Sequence, residues 1–197
     1  MKTKLKIIAF YTLALILGGC VVQSVHPLFT ENELIFDANL IGTWVEKDPN
    51  NIWTFEKKDN NTYKLTYTSG GKSGTFTVCL GAIGADKYLN LYPEDPNLPQ
   101  NDFYKSHLLY INSFAKVKFT DPDLTGQLMN PDGVKKLLEK KPKLIKHELT
   151  ENSLILTAST KELQKFILKY GSDAKLKIFG EPEVLHRINL QEPNKTQ

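Results

Sequence analysis

This 197-residue chain holds two cysteines, two tryptophans, two methionines and a single arginine. Each scarcity excludes something. Cys20 closes an amino-terminal motif that commits it to another use, so Cys79 is the only thiol left and an intramolecular disulfide is ruled out. Cohesion must then come from packing. Cys79 sits in a strand-like run with no histidine near it in sequence, which reads as a small packed side chain rather than a nucleophile. No apolar run reaches the roughly 20 residues a bilayer-spanning helix needs. The longest, residues 7–17, has 11.

Metal and catalytic chemistry are equally thin. The four histidines, His26, His107, His147 and His186, are scattered without ligand spacing. His147-Glu148 lacks the second histidine of a zinc-protease motif and lies where a strand enters a turn. Gly71-Lys72-Ser73 matches the end of a phosphate-binding loop, but Thr66 stands where that loop needs glycine, and the flanks are strands. Lys72-Ser73-Gly74 and Ser113-Phe114-Ala115-Lys116 are in the wrong order for a penicillin-interacting enzyme. Glu94 and Asp95 fall in a proline-rich loop where acids are solvated. The expectation is a protein without catalytic residues, metal site or cofactor.

What the chain does have begins at its amino terminus. Lys2, Lys4 and Lys6 precede the apolar run, and Leu17-Gly18-Gly19-Cys20 follows it. This is the pattern of a bacterial signal peptide with a lipobox, cleaved between Gly19 and Cys20. The glycines leave the cleavage point open, and the new terminal Cys20 offers its thiol for a thioether to diacylglycerol. Two or three acyl chains such as palmitate anchor stably, at about 0.8 kcal/mol per buried methylene. The expected location is the cell envelope, tethered to a membrane by lipid. Val21 in place of an aspartate leans toward the outer membrane if the cell is Gram-negative.

Removing residues 1–19 takes away three lysines and no acid, leaving 22 basic and 22 acidic side chains. The electrostatic case for a nucleic-acid partner goes with them. Residues 20–133 carry a net −5 and residues 134–197 a net +5. Solvated helices account for such a basic half; a face toward anionic lipid is the other reading.

Residues 20–33, broken by His26-Pro27, read as a lipidated tether, residues 34–190 as one folded domain and 191–197 as a disordered tail. Trp53 and Phe55, then Tyr63, Leu65 and Tyr67, then Phe76, Val78 and Leu80, then Leu89 and Leu91 each alternate with other residues. Period two with one apolar face predicts antiparallel, half-buried strands. Asp59-Asn60-Asn61, Ser69 to Gly74 and Gly84-Ala85-Asp86 supply hairpin turns, so the strands form a meander. A long strand is expected from about Tyr104 to Phe119. Asn130-Pro131 predicts a short helix stopped by Pro142, with Val134, Leu137 and Leu138 as its apolar stripe. Ser159 and Glu162 form a capping box before Leu163, Phe166, Ile167 and Tyr170, the spacing of a C-terminal amphipathic helix. Short strands are expected at 146–149 and 154–158, turning at Glu151-Asn152, and a last one from Val184 to Ile188.

A meander followed by a helix predicts a mainly β antiparallel barrel, because closure removes exposed edge strands. Leu40-Ile41-Gly42-Thr43-Trp44, opening the first strand, is similar to the Gly-x-Trp signature of lipocalin-like (calycin) proteins, and the chain resembles a bacterial lipocalin-like lipoprotein. The resemblance implies that Trp44 plugs the closed end of the barrel while Gly42 lets the chain cross under it. That family also sets an arginine over the tryptophan, before the late helix; the one arginine here, Arg187, comes after it.

Two functions fit this reading. Trp53, Phe55, Tyr63, Tyr67 and Phe76 either line a cavity for a small apolar or amphiphilic ligand or fill the barrel. At about eight strands a barrel is just wide enough to be packed solid. The first alternative makes the protein a membrane-anchored binding module. The second makes it a structural or interaction module that docks an envelope protein partner.

Overall fold

The computed structural model describes residues 21–150 and 153–188. The signal peptide, its cleavage site, Cys20, the Glu151-Asn152 turn and the tail lie outside those residues. The described strands are β1 (Gln23–Ser24), β2 (Gly42–Val45), β3 (Ile52–Lys57), β4 (Thr62–Ser69), β5 (Lys72–Ile83), β6 (Asp86–Pro93), β7 (Asn112–Thr120), β8 (Asp123–Leu128), β9 (His147–Leu149), β10 (Leu154–Leu156) and β11 (Glu183–Ile188). The α-helices are α1 (Asp102–Lys105), α2 (Pro131–Lys140) and α3 (Thr160–Tyr170).

Strands β2 to β8 each pair antiparallel with the next, and β11 closes the circuit by pairing with both β8 and β2. The result is a closed eight-stranded antiparallel β-barrel with a few short helices. The alternation that predicted the strands decides which side chains enter it. Phe55, Tyr63, Leu65, Val78, Leu80, Leu89, Leu91, Val117 and Leu124 form the interior. Their neighbours on β5, β6 and β7 point outward, and there Ile83, Tyr88 and Phe114 join a second apolar cluster.

That second cluster is covered by the excursion between β8 and β11. Asn130 caps α2 by accepting the Asp132 amide at 3.1 Å, with Pro131 in the first turn, and Val134, Leu137 and Leu138 are buried. The Ser159/Glu162 capping box opens α3, which buries Leu163, Phe166, Ile167 and Tyr170. Gly133 is required by proximity, since a Cβ there would collide with the Lys177 carbonyl. No described helix is long and apolar enough to cross a membrane.

Two segments differ from expectation. The stretch from Val22 to Phe29, read as tether, is packed into the domain: Val22 and Leu28 have no exposed surface and Phe29 only 5%. β1 lies antiparallel to β7 and parallel to β10. The Leu28 amide donates to Asn90 Oδ1 at 2.8 Å, Asn90 Nδ2 donates to Asn112 Oδ1 at 2.9 Å, and Asn112 Nδ2 donates to the Ser24 carbonyl at 3.2 Å. His26-Pro27 limits β1 to two residues without releasing the chain, because Thr160 Oγ1 donates to the Pro27 carbonyl and Gln164 Nε2 to that of Leu28. The second difference is at Tyr104, which belongs to α1; the strand expected to start there begins at Asn112. Asn101 accepts the Tyr104 amide at 2.9 Å and caps a single helical turn instead.

Candidate functional site

The barrel has two unlike ends. At one, the segment from Leu34 to Ile41 crosses beneath the strands and Trp44 fills the opening with 2% of its surface exposed. Its indole Nε1 donates to the Leu40 carbonyl at 3.0 Å. Arg187 lies over the indole with its guanidinium carbon 4.2 Å from the ring centroid. Its two terminal nitrogens donate to the carbonyls of Ile41 at 2.7 Å and Asn39 at 2.6 Å. Gly42 makes this possible: its φ is +136°, a value L side chains rarely adopt, and a Cβ there would meet the guanidinium.

Asp37 ties the same crossing segment to the barrel. Its Oδ2 accepts from Lys87 Nζ at 2.8 Å, and its Oδ1 accepts the Asn39 amide at 3.0 Å. The hydrogen bond from Lys87 is the main reason its carboxyl is held below the usual range, against the opposing effect of burial. The Asp37 amide donates to the Tyr63 hydroxyl at 2.6 Å. Burial chiefly pushes the Tyr63 phenol up.

At the other end the interior is open. A cavity of about 340 Å³ enters the barrel between Trp53, Phe55, Leu89, Ala115, Val117, Leu124 and Leu185. Its rim is polar: Glu46 on one side, and Gln127, Asn130, Glu181 and Glu183 on the other. Glu46 is held in place by Trp53 Nε1 at 2.7 Å and Asn51 Nδ2 at 2.8 Å, both donating to its carboxylate. Among the described residues, no lysine, arginine or histidine lines this cavity. An apolar pit with acceptors at its mouth suits a molecule with an apolar body and a polar or donating head.

Of the five aromatics singled out from the sequence, Trp53 and Phe55 line this cavity. Tyr67 packs behind Trp53, with ring centroids 4.6 Å apart. Tyr63 is fully buried near the closed end, and Phe76 packs against the barrel core half-buried. The cavity walls that sequence reading passed over are Leu89, Ala115, Val117, Leu124, Gly126 and Leu185. The one available signal was size: Ala115 and Gly126 are small residues at inward positions.

Elsewhere, an outer hollow of about 520 Å³ runs along Asp86, Lys116, Lys118 and Gln127, where Lys116 Nζ bonds Asp86 Oδ2 at 2.7 Å. Among the described residues no three His, Cys, Asp or Glu side chains are grouped as a metal site. His186 Nδ1 lies 2.8 Å from Asp123 Oδ1. His107 and His147 each face a nearby backbone carbonyl, those of Phe103 and Ile145. Burial, and then Asp59, raise the Cys79 thiol. No protein-family model, curated protein or solved structure matches the chain.

Proposed function

We propose that this chain is a lipid-anchored, lipocalin-like protein of the bacterial cell envelope, acting without catalysis, whose barrel binds a small apolar or amphiphilic ligand. The observation that carries the reading is the cavity. At about 340 Å³ it falls at the lower end of the roughly 300–1,000 Å³ usual for ligand pockets, and its walls are apolar while its rim is polar. The Gly42-x-Trp44 signature supports the likeness to lipocalins, as do the closed antiparallel meander and an arginine over the tryptophan, supplied here by the last strand. Leu17-Gly18-Gly19-Cys20 supports the anchor and the envelope location, with the outer membrane favoured in a Gram-negative cell.

Native mass spectrometry of the protein purified from its own host, followed by extraction and identification of bound small molecules, tests the reading. A stoichiometric apolar or amphiphilic species is the expected result. A consistently empty protein returns the bet to a module that docks an envelope protein. The same sample tests the anchor, since the mature amino-terminal peptide should start at Cys20 and carry the mass of diacylglycerol.

A further inference from the structure

The place where the chain enters the barrel constrains how it meets a membrane. Only Val21 separates Cys20 from Val22, which has no exposed surface. The Val22 amide donates to the Met129 carbonyl at 3.3 Å, and the residues on either side of Met129, Leu128 and Asn130, line the cavity. Two residue steps of extended chain span at most about 7 Å, so a lipid carried on Cys20 would be tethered within that reach of Val22. Val22 and the cavity mouth lie at one end of the barrel.

The same end carries the two most exposed apolar side chains of the described residues, Phe103 and Leu109. The β6–β7 connection, residues 94–111, joins the open ends of those strands, and β1 pairs with the first residues of β7. In that connection Phe103 is 79% exposed, Leu109 66% and Tyr104 53%. Phe103 packs edge-on against His107, with ring centroids 4.7 Å apart, and still leaves most of its surface exposed. Exposed apolar side chains gathered in one connection point to an interaction surface, and Phe and Tyr beside Lys105 is a composition suited to the boundary between headgroups and acyl chains.

We infer that the open rim of the barrel is a bilayer-docking surface: with Cys20 anchored, Phe103, Tyr104 and Leu109 enter the membrane interface and the cavity mouth faces the lipid. Ligand then passes between bilayer and barrel without crossing water. The inference rests on the lipid-anchor reading.

The test uses the full, processed lipoprotein in vesicles of phosphatidylethanolamine and phosphatidylglycerol doped with a phosphatidylcholine bearing a photoactivatable acyl chain. After illumination, adducts mapped by mass spectrometry should fall on residues 98–111 and around Leu128. They should be missing from the closed end, at Lys57–Asn61 and Thr120–Asp123, and F103S/L109S should lose most of the loop adducts while still floating with the vesicles. A chain that floats but shows no adducts on the rim, or equal adducts at both ends, overturns the docking surface alone. A chain that does not float overturns the anchor and the inference with it. Loop residues shielded only in native membranes, where a protein cross-links to them, would overturn it in favour of a protein partner.

Discussion

The guanidinium of Arg187 rests on the indole of Trp44, 4.2 Å from carbon to ring centroid, while donating to two carbonyls of the segment that crosses beneath the barrel. Three parts of the chain are thereby pinned together: β2, the crossing segment and β11, the strand that closes the circuit. Trp44→Ala should destabilise by roughly 3–5 kcal/mol, because it removes a large side chain from a filled end and leaves a cavity. Arg187→Ala removes a cation–π contact and two solvent-accessible hydrogen bonds and should cost about 1–2 kcal/mol. Denaturant unfolding measures both. If Trp44→Ala were near neutral, the placement of that indole as the plug would be wrong.

A different pair holds the amino-terminal segment. Asn90 and Asn112 are both buried on the outer face of the barrel, and between them they satisfy the Leu28 amide and the Ser24 carbonyl. Asn112→Ala removes the acceptor of Asn90 Nδ2 and the side-chain donor to the Ser24 carbonyl, a loss of about 1–3 kcal/mol. The local consequence is the more diagnostic. Limited proteolysis should cut between residues 22 and 33 in the variant at protease levels that leave the parent intact.

How much of this was readable follows from which contacts are local. Strands β3 to β6 were legible because Tyr63, Leu65 and Tyr67, for instance, show a period of two within a single strand. Helix α2 was legible from Asn130, whose cap acts within three residues, and α1 was not. The packing of Leu28 was not, because its partner Asn90 lies 62 residues away. Tyr104, Leu109 and Ile111 looked like strand residues, yet Asn101 caps a helical turn before β7 starts. The cavity was hidden for a related reason. Whether Ala115 and Gly126 face filled or empty space depends on how β11 registers against β8, and no local pattern states that.

Acid should weaken the closed end in a definite sense. The Asp37 carboxyl is held below its ordinary value in the folded protein, first by the hydrogen bond from Lys87. A folded-state value below the unfolded one means that the contribution is present above the unfolded value, near pH 4, and disappears as pH falls through the folded value. Lys87 is partly exposed, so solvent screening limits the effect to at most about 1 kcal/mol. Unfolding midpoints measured from about pH 5 to 2 should fall more steeply for the parent than for Asp37→Asn. Equal slopes would show that this ion pair contributes nothing to acid sensitivity.

Gly126 offers the sharpest separation of ligand binding from stability. It lines the cavity on β8, and no atom lies within 4 Å of where its Cβ would stand. Leucine there projects into empty space rather than into a neighbour, and it replaces a glycine that weakens a strand by roughly 0.5–1 kcal/mol. Gly126→Leu should therefore fold at least as stably as the parent while filling much of the cavity. If the cavity is the binding site, protein purified from the host should lose its bound apolar species in native mass spectra, with an unchanged or raised unfolding midpoint. Retention of the same ligand at full occupancy would place binding elsewhere on the molecule. A destabilised variant would show instead that the space beside Gly126 is already occupied.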